Sequence, residues 1–279
     1  MIVAHDIFGP NSGRLIEICD QMAIDLAKGN IRLTVCLPDF FRGRPFFDES
    51  IPSPPPPGEQ NTCFNWATFL CKMCCLCKFC SILCSFFCDS ERMRWDPAVS
   101  EDFEDIVLET IRNRSKRRET TPRVGILGFC WGGWFAFHAS ANPLVACAAS
   151  CHPSLDVCKL VGEDPKTAVC DRIQCPQLVL AAGNDKPNVK KGGLLEKSLA
   201  SKPAVARASS FHTFPSMIHG WVNRGDLEHA PTAAAIKDVF RLVRRFFTTH
   251  LLRRRVDNDG EGSAVVKDHE ERPASSTRF

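Results

Sequence analysis

A cysteine stands at the centre of a short glycine-rich motif whose form suits nucleophilic catalysis. The motif, Gly128-Phe129-Cys130-Trp131-Gly132, follows an apolar run at residues 124–127 and precedes a helical pattern. A strand that turns sharply into a helix presents such a side chain at the edge of a sheet, and the glycines stand where a larger side chain would collide with backbone. The turn also aims the N–H of Trp131 at an incoming carbonyl oxygen. The non-catalytic interpretation is a buried cysteine in an ordinary strand-to-helix corner.

Two further polar residues follow later strands in the order that this kind of nucleophile requires. Residues 177–182 predict a buried strand that leads into Asp185, and residues 206–214 predict another strand before His219. An elbow nucleophile needs an acid and then a histidine, each just past a later strand. We therefore predict that His219 takes the proton of Cys130 and that Asp185 fixes the tautomer of the ring. Taken singly, Asp185 also fits an ordinary turn and His219 an ordinary loop.

Strand-like and helical patterns alternate along the chain and predict the frame that positions these residues. The helical patterns cover residues 13–28, 103–111, 131–140, 192–199 and 232–252. The remaining strand-like runs cover residues 2–5, 31–36, 123–127 and 144–150. This alternation predicts an α/β fold in three layers, with a mostly parallel sheet between helices on both faces.

The chain resembles the dienelactone hydrolases, a family with the α/β-hydrolase fold. The resemblance rests on residues 2–9, 36–43, 128–133 and 182–185, and on 219–221 with Arg224. The cysteine at the elbow is its most specific feature, since serine is usual there. The resemblance implies hydrolysis of a small ester or lactone through a thioester-linked acyl-enzyme, with Cys130, Asp185 and His219 as the triad. Such a reaction needs no metal or organic cofactor.

The same resemblance implies roles for four more residues. The backbone N–H groups of Ile7 and Trp131 would form the oxyanion hole, where two donors meet the developing negative charge. Asp6 would contact the resting thiol, at a position where the family often has glutamate. Arg224 would hold a substrate carboxylate, because a guanidinium matches two oxygens. The alternatives are a turn residue for Asp6 and a solvated surface arginine for Arg224.

Composition shifts divide the chain into three parts. We predict a hydrolase domain over residues 1–252, a proline- and cysteine-rich insert at about 46–95 within it, and a disordered tail over 253–279, where charge is high and apolar periodicity is lacking. The strand at residues 2–5 would be central to the sheet. We therefore expect the N-terminal edge strands that relatives carry to be missing.

The insert holds eight cysteines between Cys63 and Cys88 and allows three interpretations. The spacing of cysteines at 71, 74, 77 and 80 would suit zinc, although no histidine lies nearby. The apolar run at 64–87 would suit membrane contact through acylated cysteines, although Lys72 and Lys78 disfavour a spanning helix. A neutral insertion in a lid loop is the interpretation we favour, because loops tolerate insertions.

Composition limits the partners and the compartment. A net charge of +3 gives no argument for nucleic acid, and sixteen cysteines without a secretory pattern indicate reduced thiols and a cytoplasmic protein. We expect a monomer or a weak homo-oligomer that acts on a small molecule. The alternative function is a catalytically inactive hydrolase-fold binding or scaffold protein, associated with a membrane through the insert.

Overall fold

Five parallel strands form the centre of the fold. The computed structural model describes residues 1–27, 33–46, 93–116 and 123–252. The strands are β1 (Ile2–Ala4), β2 (Val124–Phe129), β3 (Val145–Cys151), β4 (Gln177–Ala182) and β5 (Ser210–Phe214). They lie side by side in chain order, and each neighbouring pair is parallel. Their carboxyl ends therefore meet at one edge of the sheet.

Helices connect the strands in the described part of the chain. They are α1 (Leu15–Leu26), α2 (Glu109–Lys116), α3 (Trp131–Ala139), α4 (Val157–Leu160), α5 (Leu194–Leu199), α6 (Pro203–Ala208), α7 (Trp221–Arg224) and α8 (Ala230–Phe247). Short π-helical segments (Trp95–Val99, Asp102–Leu108, Pro165–Val169 and Thr248–Leu252) and 3₁₀ turns (Cys170–Arg172 and Pro187–Val189) complete the connections.

Two hydrophobic cores cover the two faces of the sheet. Alternate strand residues point to opposite faces, so Ile126 packs in one core and Leu127 in the other. Trp134 and Phe135 of α3 complete the first core, while α1 and α8 close the second. This arrangement confirms the predicted three-layer α/β fold.

The structure differs from the predicted elements in two places. The expected strand at 206–214 begins as helix α6, and β5 is limited to Ser210–Phe214. A short apolar run suits both structures, and Pro203 at the first helical position favours the helix. Of the expected strand at 31–36, only residues 33–36 are described, and there Cys36 forms an isolated parallel bridge to Ile2.

Several predictions lie outside the described residues. They concern almost all of the insert at 46–95, with its zinc, membrane and neutral interpretations, and the tail at 253–279. Within the described ranges, none of the helices combines the length and the apolar character that crossing a membrane would need.

Candidate active site

The carboxyl edge of the sheet gathers polar side chains from five successive strands. Asp6 follows β1, Cys130 follows β2, Ser154 follows β3, Asp185 follows β4 and His219 follows β5. Ligands and reacting groups in parallel α/β sheets commonly meet at this edge. Residues far apart in sequence therefore share one small region.

Cys130 occupies a strained turn between β2 and α3. Its φ is 55° and its ψ is −110°, which places a non-glycine residue in a sparsely populated conformation. Two glycines make the turn sterically feasible. A Cβ on Gly128 would lie 2.0 Å from the carbonyl oxygen of Gly132, and a Cβ on Gly132 would lie 2.1 Å from that of Ala4. The elbow form predicted from the motif is present.

Backbone hydrogen bonds hold the elbow against the end of β3. The N–H of Cys130 donates to the carbonyl of Cys151 at 3.2 Å. The carbonyl of Cys130 accepts from the N–H groups of Gly133 and Ser154, each at 3.0 Å. Cys130 itself is 8% exposed. The sulfur is therefore held in place, and little of it is open to solvent.

Asp185 and His219 form a direct hydrogen-bonded pair. His219 Nδ1 lies 2.7 Å from Asp185 Oδ1, while Asp185 Oδ2 accepts from the N–H of Ala182 at 2.7 Å. The N–H of His219 donates to Asn184 Oδ1 at 2.7 Å. The carboxylate is 2% exposed, whereas the imidazole keeps 34% of its surface. The buried acid thus orients a ring that remains accessible.

The Ser154 hydroxyl lies close to both the thiol and the imidazole. Its Oγ is 3.5 Å from Cys130 Sγ and 3.4 Å from His219 Nε2. Burial disfavours the charged form of His219, but the negative charge of Cys130 and the hydrogen bond to Asp185 outweigh this and raise the pKa of His219 well above its ordinary value. The structure therefore brings Cys130, His219 and Asp185 into one electrostatically coupled group.

His152 is a buried neighbour of this group. The His152 ring is fully buried, its centroid lies 5.0 Å from that of His219, and its φ is 40°. Neither ring nitrogen has a hydrogen-bond partner among the described residues. Burial, together with the charge of His219, lowers the pKa of His152 well below its ordinary value. The His152 ring is therefore neutral.

Asp6 lies in a hydrogen-bond network of its own. Oδ1 accepts from the N–H of Phe8 at 2.9 Å, and Oδ2 accepts from Ser12 Oγ and Asn223 Nδ2, both at 2.8 Å. In the described part of the chain, no hydrogen bond joins Asp6 to Cys130. The network ties the loop after β1 to α7, and contact of Asp6 with the thiol stays a prediction.

The expected oxyanion donors lie at adjacent strand ends. Trp131 is the first residue of α3, and the N-terminal turn of α3 touches the backbone of Ala4. Ile7 lies three residues after Ala4, in the loop that follows β1. Among the described residues, neither the N–H of Ile7 nor that of Trp131 donates a backbone hydrogen bond. Trp131 is fully buried and Ile7 is partly buried, and the catalytic role of both N–H groups stays a prediction.

Arg224 ends α7 next to the loop after β1. Its guanidinium carbon lies 3.8 Å from the centroid of the Phe8 ring, a cation–π contact. Gly13 packs against the same arginine, since a Cβ there would lie 2.9 Å from Arg224 Cγ. The side chain is half-buried at this position. Binding of a substrate carboxylate by Arg224 stays a prediction.

Sequence reasoning missed three polar residues of this region: His152, Ser154 and Asn223. The first two lie just beyond β3, the strand next to the elbow strand. The strand predicted from the sequence ends at residue 150, before His152 and Ser154. The position after a parallel strand was the signal that would have found them.

One group of side chains in the described ranges could hold a metal ion. The ligand atoms of His138, Cys158 and Glu163 lie within 4.8 Å of one another, on the face of the sheet covered by α3. His138 Nε2 is already 3.0 Å from Glu163 Oε2. An ion would have to displace that hydrogen bond, so the two groups satisfy each other without one.

Comparison with known proteins assigns the chain to a family. The model of the dienelactone hydrolase family matches residues 88–251, more than half of the chain. The chain belongs to the dienelactone hydrolase family. The match spans the strand ends that carry Cys130, Asp185 and His219, and family membership supports a hydrolase.

Individual relatives are more distant. An uncharacterised AIM2 family protein of Schizosaccharomyces pombe is 28% identical over 243 residues, which cover 87% of this chain and 79% of that protein. A presumed dienelactone hydrolase from Klebsiella pneumoniae has a TM-score of 0.49 at 15% identity, over 89% of this chain and 86% of the other. An acylaminoacyl peptidase of Pyrococcus horikoshii has a TM-score of 0.41 at 18% identity, over 57% and 29% of the two chains.

Proposed function

We propose that the protein hydrolyses small carboxylic esters or lactones with Cys130 as nucleophile, His219 as general base and Asp185 as the residue that orients the base. The observation that carries this proposal is the coupling of the three groups. The 2.7 Å hydrogen bond between His219 and Asp185 and the influence of the Cys130 charge on His219 indicate one functional unit.

The first half of the reaction makes an acyl-enzyme. His219 Nε2 receives the thiol proton, and the Cys130 sulfur attacks the carbonyl carbon of the ester. An S–C bond forms while the carbonyl electron pair moves to oxygen. The tetrahedral intermediate then collapses, the bond to the alcohol oxygen breaks, and His219 gives its proton to that oxygen. The product of this half is a thioester on Cys130 and a free alcohol, or a ring-opened alcohol from a lactone.

The second half returns the enzyme to its starting state. Water attacks the thioester carbon while His219 accepts one of its protons. The C–S bond then breaks, the sulfur leaves with the electron pair, and the imidazolium returns its proton to the sulfur, which releases the carboxylic acid and restores the thiol and the neutral ring. Asp185 stabilises the imidazolium in both halves, because its buried carboxylate accepts a hydrogen bond from the Nδ1–H group throughout.

The strand ends also supply a site for the developing oxyanion. The N–H groups of Ile7 and Trp131 carry no backbone acceptor among the described residues. Removal of one such donor typically costs about 3 kcal/mol of transition-state stabilisation. Two backbone donors at adjacent strand ends therefore suit the tetrahedral intermediate of acyl transfer.

Kinetics on nucleophile variants test the proposal. Wild-type protein, Cys130→Ala and Cys130→Ser are compared on a panel of p-nitrophenyl esters and small lactones. Hydrolysis by wild type that falls to background in Cys130→Ala supports the proposal. Undiminished hydrolysis in Cys130→Ala would overturn it. Cys151→Ala is the matched control, since that cysteine is fully buried, its pKa is raised by burial, and it should not react.

A further inference from the structure

Ser154 occupies the position through which a proton would pass between Cys130 and His219. Its hydroxyl oxygen lies 3.5 Å from the sulfur and 3.4 Å from Nε2, so it contacts both reacting groups. The first distance is ordinary for a hydrogen bond that involves sulfur. The second distance is a few tenths of an ångström longer than a usual hydrogen bond, and such bonds commonly shorten when substrate binds.

The hydrogen bonds around His219 fix the direction in which a proton would move from Cys130 through Ser154 to His219. Asp185 accepts at Nδ1, so that nitrogen carries the proton in the neutral ring and Nε2 is an acceptor. The Ser154 hydroxyl then donates to Nε2, and its oxygen lone pairs face the thiol. A hydroxyl is one donor and two acceptors, which is the set that both neighbours require.

The backbone of Ser154 is tied to the elbow itself. Its N–H donates to the carbonyl of Cys130 at 3.0 Å, and its own carbonyl accepts from the N–H of Val157 at 3.1 Å. The preceding Pro153 packs on Gly133, where a Cβ would lie 2.5 Å from the proline Cβ. These contacts hold the backbone of Ser154 beside the elbow, so its side chain starts close to Cys130.

We propose that Ser154 is a further catalytic residue, which relays the thiol proton from Cys130 to His219 and then hydrogen-bonds the thiolate. This proposal rests on the proposed function of the same site. The S–H bond breaks, its electron pair stays on sulfur, and the proton joins Ser154 Oγ. The original hydroxyl proton passes to the lone pair of Nε2. The products are a thiolate, an intact serine hydroxyl that donates to it, and an imidazolium that donates to Oγ.

The surrounding groups favour this exchange. Asp185 faces the other side of the imidazole and stabilises its charge. His152, on the segment that carries Ser154, lies edge-on to His219, and burial lowers its pKa so far that it is a much weaker base than His219. Among the described residues, Cys130 and Asp185 are the charged groups that act on His219.

Alkylation of Cys130 tests the relay without any ester substrate. Wild type, Ser154→Ala, Ser154→Thr and Ser150→Ala are treated with iodoacetamide from pH 5 to pH 10, and the modified Cys130 peptide is quantified by mass spectrometry. Thiolate, rather than thiol, reacts. We expect Ser154→Ala to react about tenfold more slowly near pH 6 and to match wild type at pH 10, where the thiolate forms in both proteins. The Ser154→Thr variant keeps the hydroxyl and should retain the wild-type profile.

Other alkylation profiles would overturn the relay. A Ser154→Ala profile within twofold of wild type at every pH would overturn the relay, because the hydroxyl would then not hydrogen-bond the thiolate that the relay produces. A decrease in the alkylation rate by the same factor at every pH would also overturn the relay, because it would indicate only a structural role for Ser154. Ser150→Ala, whose buried hydroxyl lacks a partner in the described residues, should behave as wild type. If Ser154→Ala does not fold, the alkylation profile of Ser154→Gly is measured instead.

The test separates the relay from the proposed function. If wild type hydrolyses none of the esters or lactones while Ser154→Ala still changes the alkylation profile, the relay is supported and the proposed substrate class is refuted. If wild type hydrolyses esters through Cys130 while Ser154→Ala alkylates as wild type does, the function stands and the relay falls.

Discussion

Replacement of Asp185 by asparagine changes hydrogen bonding at the site with almost no change in shape. Asp185 Oδ2 accepts from the N–H of Ala182 and Oδ1 accepts from His219 Nδ1, each at 2.7 Å. An amide has only one acceptor oxygen, and the backbone N–H of Ala182 requires it. The NH₂ group of asparagine then faces Nδ1. This reverses the tautomer, so Nε2 carries the proton and can no longer accept one from the thiol.

The size of the effect follows from the buried charge that is lost. Hydrogen bonds to charged groups contribute about 1.5–3 kcal/mol, and the carboxylate is 2% exposed, so solvent cannot replace it. A change of 1.36 kcal/mol in barrier is a factor of ten in rate. We therefore expect Asp185→Asn to slow acylation by roughly 10- to 150-fold from this hydrogen bond alone.

The assay is a stopped-flow burst with a p-nitrophenyl ester, in which the first turnover reports acylation of Cys130. The control is Asp171→Asn, which removes an exposed carboxylate paired with Lys166 away from the site. The control variant should acylate as wild type does. If folded Asp185→Asn acylates within twofold of wild type, the reasoning on tautomer and charge is refuted.

Two further predictions concern electrostatics and packing at the site. Cys130→Ala should lower the pKa of His219, because it removes the thiolate charge that favours the imidazolium; NMR titration of the imidazole measures this, and an unchanged pKa contradicts the coupling. Gly132→Ala should destabilise the fold by about 1–3 kcal/mol, because the new Cβ would lie 2.1 Å from the carbonyl oxygen of Ala4. Calorimetry should then show Tm lower by roughly 2–12 °C, and an unchanged Tm would contradict that close approach.

The fold could be predicted from the sequence because its signals are local. Strand and helix patterns alternate, and a parallel sheet brings every carboxyl strand end to one edge. Cys130, Asp185 and His219 each follow a strand, so their common location follows from topology alone. The exact start of β5 was harder to predict, since a short apolar run with Pro203 suits a helix as well.

The remaining features of the site depend on contacts that no local pattern shows. Asp6 is held by Asn223, which lies 217 positions away in the chain. Ser154 lies close to both Cys130 and His219 only because β3 extends to Cys151 and the following turn bonds back to the elbow. Propensity and spacing identify loops after strands, but they do not determine which hydroxyl or carboxylate faces the sulfur.

The most direct test of the account is the site of acylation in the wild-type protein. The protein is mixed with an activated ester, quenched in acid within the first turnover, digested and mapped by mass spectrometry. We expect one acyl group, on the peptide that contains Cys130, and its absence in Cys130→Ala. Ester turnover with the acyl group on another residue, or with no adduct on Cys130 at any time point, would contradict the account.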